Sequence, residues 1–182
     1  MPKAKKSLLR LAINQKRMPE GYTLVYQGEG EGYVQVHATH GKQELSDNLR
    51  IGRHLANQGE RVCLLPIDST PGTTNPDATR NEVIWEFKTP DSASGKNGTQ
   101  NAIKQASAQE RENVLIELDA AYKVSDVING LKAAFQPGRA KSIQQVDLML
   151  PDGQTVNFTA AQLLDRSFID RLKKRAGSQL ES

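Results

Sequence analysis

Between Asn75 and Pro90 the chain reads Asn-Pro-Asp-Ala-Thr-Arg-Asn-Glu-Val-Ile-Trp-Glu-Phe-Lys-Thr-Pro, and this run dictates how its neighbours can be arranged. Over residues 82–88 the β-branched and aromatic content predicts a strand, which Pro90 stops. Side chains alternate across a strand, so Ile84, Glu86 and Lys88 share one face and Val83, Trp85 and Phe87 the other. The apolar set is expected to meet a core. The opposite face then carries a carboxylate and an ammonium two residues apart. Asp77 can return to the same place through a short turn at Thr79-Arg80-Asn81. Two carboxylates and one lysine at a strand end can hold a divalent cation and a phosphate together, as a metal-dependent phosphodiesterase requires. Spacing alone favours a plainer reading, with Glu86 and Lys88 on an exposed strand face and Asp77 in an Asx-type turn.

Length and composition set the frame. A chain of 182 residues fits one domain with a terminal appendage, and 37% hydrophobic against 25% charged residues supports a real core. The expected division is a basic N-terminal arm over 1–20, a central domain over 21–158 and a basic amphipathic helix over 159–182. The net charge is +3, with Lys3, Lys5, Lys6, Arg10, Lys16 and Arg17 at one end and Arg171, Lys173, Lys174 and Arg175 at the other. Such ends suit a polyanionic partner and equally suit a solvated surface. Cys63 is the one cysteine and lies in an apolar run, which predicts a buried thiol and excludes a disulfide framework or a cysteine-based zinc site. No apolar run reaches membrane-spanning length and the start lacks the long apolar segment of a signal peptide, so no membrane partner is expected. Action in a cytoplasm is the expectation, including that of a target cell if a dedicated machine delivers the chain.

Taken in order, the pattern predicts strands at 22–26 and 33–38 around a glycine-rich turn, then a helix over 42–58 closed by Gly59. Its stripe is Leu45, Leu49, Gly52 and Ala56, widened by Ile51 and Leu55. A central strand follows at 61–67, then an irregular loop into the Asn75–Pro90 run. Residues 91–98 read as a flexible loop, with Thr99 capping a helix through 110. A buried strand at 113–118, a helix at 124–135, a hairpin around Pro151-Asp-Gly153 and a last helix from Thr159 to about 175 complete the chain. The order suggests an α/β fold, a mixed sheet flanked by helices.

These residues resemble a known family. Pro76-Asp77 followed by Glu86-Phe-Lys88 matches the signature of the PD-(D/E)xK nuclease superfamily. More narrowly, the run from Val36 through PDA, WEFKTP, TQNAIKQASAQ and NVLIEL to VDLMLPDG resembles the tRNA-nuclease C-terminal domain of contact-dependent growth-inhibition (CdiA-type) toxins, over roughly residues 33–150. Related domains also occur on mobile elements. The resemblance implies a restriction-endonuclease-like core, cleavage of nucleic acid (tRNA before DNA) and an inhibitor or immunity protein as a further partner. It also implies Mg²⁺ or Mn²⁺ on Asp77, Glu86 and the carbonyl of Phe87, with Lys88 orienting water or offsetting charge. Glu44 is the candidate extra acid, although a first-turn carboxylate beside a helix dipole accounts for it equally.

Lys96, Gln100, Asn101 and Lys104 cluster at the loop and helix start beside the strand end, where a phosphate backbone can be held. A plain solvated helix start accounts for them as well. His37 and His40 flank a strand end and raise the possibility of a metal-free RNase. His37 is a candidate substrate contact, and a satisfied loop histidine is the simpler reading. The same fold also suits a metal-dependent DNase or a non-catalytic nucleic-acid-binding protein.

Overall fold

The computed structural model describes residues 18–181. The basic arm expected over 1–20 lies almost wholly outside them. The described residues form two compact units, divided between Val83 and Ile84. Both are α/β, as the order of elements predicted.

In the first unit, β1 (Tyr22–Gln27) pairs antiparallel with β2 (Tyr33–His37). β2 runs parallel to β3 (Arg61–Leu64), which runs antiparallel to β4 (Ala78–Arg80). Helix α1 (Leu45–Asn57) is the crossover between the parallel pair. Its buried face is Asn48, Ile51, Gly52, Leu55 and Ala56, packed with Val34, Val62 and Leu64. The expected stripe is therefore rotated, and Leu45 and Leu49 sit at its half-buried margin. Gly52 makes this a close contact, because an added Cβ would stand 3.3 Å from both methyls of Val34.

β4 was expected as part of a turn. It is a strand because Leu64↔Ala78 and Val62↔Arg80 pairing satisfies its backbone, and Arg80 is clamped by the Glu60 carboxylate. A corner of two non-glycine residues follows, Asn81 at φ 49° and Glu82 at φ 73°. Arg61 supports it: Asn81 N–H donates to the Arg61 carbonyl at 2.8 Å, Arg61 N–H donates to Asn81 Oδ1 at 3.0 Å, and the Glu82 carboxylate lies 3.5 Å from Arg61.

β5 (Val83–Lys88) leads into the second unit, where β5, β6 (Asn113–Glu117) and β7 (Gln145–Met149) are parallel neighbours. β8 (Thr155–Thr159) returns antiparallel to β7 through the predicted turn, with Gly153 at φ 82°. Helix α2 (Gly95–Ala108) joins β5 to β6 and α3 (Val124–Ala134) joins β6 to β7. The main core takes Ala102, Ile103 and Ala106 from α2, Val127, Ile128 and Leu131 from α3, and Val114, Ile116, Val146, Leu148, Val156 and Phe158 from the sheet.

The terminal helix is two helices. α4 (Ala160–Asp165) opens on a Thr159–Gln162 capping box, and Arg166 at φ 71° ends it before α5 (Phe168–Ala176). Leu163, Phe168, Leu172 and Ala176 join the core, so this segment is integral to the second unit.

α2 begins a turn earlier than predicted. The Ser94 side chain accepts from Asn97 N–H, which places Gly95 to Gly98 in the helix. Two early glycines disfavour a helix, yet Cβ atoms there would press on Tyr122 at 3.0 and 2.8 Å. Tyr122 in turn donates from its hydroxyl to the Ser92 carbonyl at 2.8 Å, holding the 91–94 approach.

Candidate functional site

Register places the focal strand's side chains. In parallel pairing Glu86 is opposite Val114 and Lys88 opposite Ile116, and both partners belong to the helix-covered core. Glu86 therefore lies on the face that α2 covers, with only 3% of its side chain exposed. On spacing alone the plainer reading left that face exposed. Trp85 and Phe87 are also buried, on the opposite face, so the strand is enclosed on both sides from Trp85 to Phe87. Val83, expected in the core, is exposed together with Ile84.

A buried carboxylate needs partners. Lys88 Nζ donates to Glu86 Oε1 at 2.6 Å, and Arg111 Nε donates to Oε2 at 3.1 Å. Arg111 was not singled out from the sequence. It reaches Glu86 because α2 ends at a left-handed Glu110 (φ 58°), which turns the chain sharply before β6. The only signal available was an arginine between two glutamates, two residues before a buried strand.

Lys88 is 19% exposed and lines a hollow of about 250 Å³ with Thr89, Asp91, Asn101 and Gln105. The hollow lies beyond the carboxyl end of β5, where open α/β sheets bind ligands. Thr89 Oγ1 donates to Glu117 Oε2 at 2.9 Å across the same end of β5 and β6. Of the five residues expected to touch nucleic acid, Lys96, Gln100, Asn101, Lys104 and His37, only Asn101 lines this hollow. Gln100 and Lys104 line a separate one of about 500 Å³ with Ser107 and Arg139, and Lys96 is exposed in the first turn of α2.

The remaining predicted residues belong to the first unit. Asp77 is buried just before β4, and its carbonyl accepts from Leu65 N–H at 2.9 Å. Glu44 stands at the start of α1, where its side chain makes no capping hydrogen bond and is exposed. His37, the last residue of β2, packs edge-on against Tyr22 at 4.9 Å and its Nδ1 faces Thr39 Oγ1 at 2.9 Å. His40 is buried, with Nδ1 2.6 Å from the Leu65 carbonyl and Nε2 3.1 Å from Asn48 Nδ2. The carbonyl can only accept, so Nδ1 carries the proton and Nε2 accepts. Both ring nitrogens are engaged, which leaves none for acid–base work.

Among the described residues no group of three or more His, Cys, Asp or Glu could hold a metal. A Mg²⁺ ion does not need such a cage, since it is commonly held by one or two carboxylates with water and phosphate oxygens completing its shell. Glu86 fits an ion on those terms: Oε1 already faces a cationic nitrogen whose side chain can turn into the adjoining hollow.

Residues 73–155 match the family model described as the contact-dependent growth inhibition CdiA C-terminal domain. The matched stretch contains Asp77, Glu86, Lys88 and Arg111 and runs from before β4 to the first residue of β8. A chain from the CdiA-CT/CdiI toxin and immunity complex of Burkholderia pseudomallei is similar in structure, with 19% identity and a TM-score of 0.49 over 64% of this chain and 85% of that chain. No curated protein matches. No helix among the described residues is long and apolar enough to cross a membrane.

Proposed function

We propose that the chain is a toxin-type nuclease that cleaves RNA phosphodiesters, with tRNA as the preferred substrate. The observation that carries this reading is the Glu86 carboxylate, buried under α2 between Lys88 and Arg111 and beside a polar hollow, within the stretch that matches the CdiA C-terminal domain. The trio carries a net positive charge, as a site for an anionic phosphate should.

Lys88 is the group that reaches the phosphate. Its ammonium offsets charge developing on the non-bridging oxygens or orients the attacking water. Glu86 anchors Lys88 when no substrate is present and supplies a carboxylate oxygen. Asn101 and Gln105 offer amide donors to the backbone from the exposed side of α2. A Mg²⁺ or Mn²⁺ ion, held by Glu86 and the adjacent Phe87 carbonyl, would supply Lewis acidity and an activated water. Asp77 keeps its place in the proposal through the signature alone. An immunity protein that blocks the enzyme belongs to the same reading.

The test is incubation of the purified chain with tRNA and with plasmid DNA, each with Mg²⁺ and with EDTA. RNA cleavage that needs the metal and is lost in Glu86→Gln, Lys88→Ala and Asp77→Asn is the expected result. Cleavage that survives Glu86→Gln or Lys88→Ala rejects the assigned site. Cleavage of plasmid alone moves the substrate to DNA, and binding without cleavage identifies a non-catalytic protein.

A further inference from the structure

Lys88 cannot serve a phosphate while it is the sole support of a buried carboxylate. Withdrawing its ammonium from Glu86 would then strand an uncompensated charge, a severe cost at a site this dry. The structure holds a second cation at that carboxylate. Arg111 Nε sits on Oε2 at 3.1 Å, with the arginine side chain 13% exposed. Arg111 Nη2 is buried and has no hydrogen-bond partner. Nε and Nη2 lie on one edge of the guanidinium, the edge that grips a carboxylate with two parallel hydrogen bonds. Only one of those bonds is made, because Lys88 Nζ occupies the other carboxylate oxygen at 2.6 Å.

We propose that Arg111 is the standing counter-ion of Glu86 and that, in the metal-free chain, its spare Nη2 takes over Oε1 when Lys88 turns into the hollow. The carboxylate remains paired throughout, the unsatisfied donor finds its acceptor, and one positive charge is delivered to the neighbouring hollow. Arg111 is thus a positioning residue, which acts through Lys88 without touching substrate. Its location supports this role: Arg111 lies between α2 and the start of β6, whereas Lys88 ends the parallel strand β5 and lines the hollow. The idea rests on the proposed site for its purpose, but the exchange itself is a property of three side chains and can be measured without substrate.

The experiment is timed acetylation of the folded chain in EDTA at fixed pH, read by peptide mass spectrometry as Lys88 labelling relative to the exposed Lys96. Arg111→Gln is expected to slow Lys88 labelling by ~10-fold, since a charge-assisted bond that was shared becomes exclusive. Glu86→Gln is expected to accelerate it. If Arg111→Gln does not fold, the double variant Glu86→Gln/Arg111→Gln strands no charge, and it should fold and label Lys88 faster than the wild type. Unchanged or faster labelling in folded Arg111→Gln, or slow labelling in the double variant, overturns the proposal. With RNA, Arg111→Gln should lower kcat by more than it raises KM, and Arg111→Lys should restore part of the loss. If the wild type cleaves no RNA while the labelling follows this order, the nuclease reading fails and the exchange stands.

Discussion

Glu86→Gln is the substitution that probes the site most directly, and its size follows from burial. The Glu86 side chain is 3% exposed, while Arg111 and Lys88 are 13% and 19% exposed. A glutamine keeps the volume and removes the charge. Its oxygen can satisfy one cation, but its amide then presents a donor to the other. Breaking a buried pair in this way costs ~3–5 kcal/mol, and the lower end applies because Lys88 has the hollow to turn into. For a unit of about this size each kcal/mol moves the melting midpoint by ~4–8 °C, so a fall of roughly 12–24 °C is expected. The assay is tryptophan fluorescence: Trp85 is the one tryptophan in the chain, is buried, and sits next to Glu86 on β5, so it reports the strand that carries the site. Lys88→Met provides the contrast. Arg111 remains on the carboxylate there, and the loss should be only ~1 kcal/mol, about that of a single hydrogen bond. A Glu86→Gln midpoint within ~2 °C of wild type, well under the shift for 1 kcal/mol, would show that the charge on Glu86 is not what holds the two cations.

Other outcomes follow from the same packing. Gly130→Ala should destabilise the second unit by ~1–3 kcal/mol in urea titration, because the new Cβ would meet the Lys96 carbonyl oxygen at 2.6 Å and Thr99 Cβ at 2.9 Å and force α3 away from α2. Thr99→Val should raise the urea midpoint, with a gain of up to ~1 kcal/mol, since the buried Thr99 hydroxyl has no hydrogen-bond partner and valine keeps its shape. His40→Ala should cost ~1–3 kcal/mol by leaving the Leu65 carbonyl and Asn48 amide unpaired, yet leave RNA cleavage by the folded fraction unchanged. Burial pushes the Cys63 thiol above its ordinary value near 9.0, so iodoacetamide should label it slowly in the folded chain and rapidly in urea. The fold favours the neutral thiol, so its contribution to stability is full below the free thiol's pKa and is lost as pH rises through the folded value.

Periodicity carried much of the fold. Most strands, the hairpin at Pro151-Asp-Gly153 and the α/β class are local signals that the structure repeats, although β3 stops at Leu64 rather than 67 and β4 was expected as a turn. Patterning could not reveal the second cover on β5. Glu86 and Lys88 look like a wet face because charged residues usually are, and only the β5–β6 register with α2 above it shows otherwise. Arg111 was invisible for the same reason: nothing within a few residues of it marks a buried partner 25 positions earlier. The terminal helix was read as one because its apolar residues keep a helical spacing across Ser167, while the left-handed Arg166 that divides it carries no glycine to announce it. The charge cluster around Glu86 was half legible, then. Spacing supplied the carboxylate and the lysine, and tertiary packing supplied their reason for being together.

The corner at Asn81 and Glu82 has no glycine hinge, and Arg61 braces it from three directions. Two successive non-glycine residues in a left-handed backbone are costly on their own, so the bend persists because the side chains that strain it also tie it to β3. Asn81→Gly would ease the backbone and at the same moment give up the oxygen that holds the Arg61 N–H. At this corner, comfort and anchorage cannot be had from the same residue.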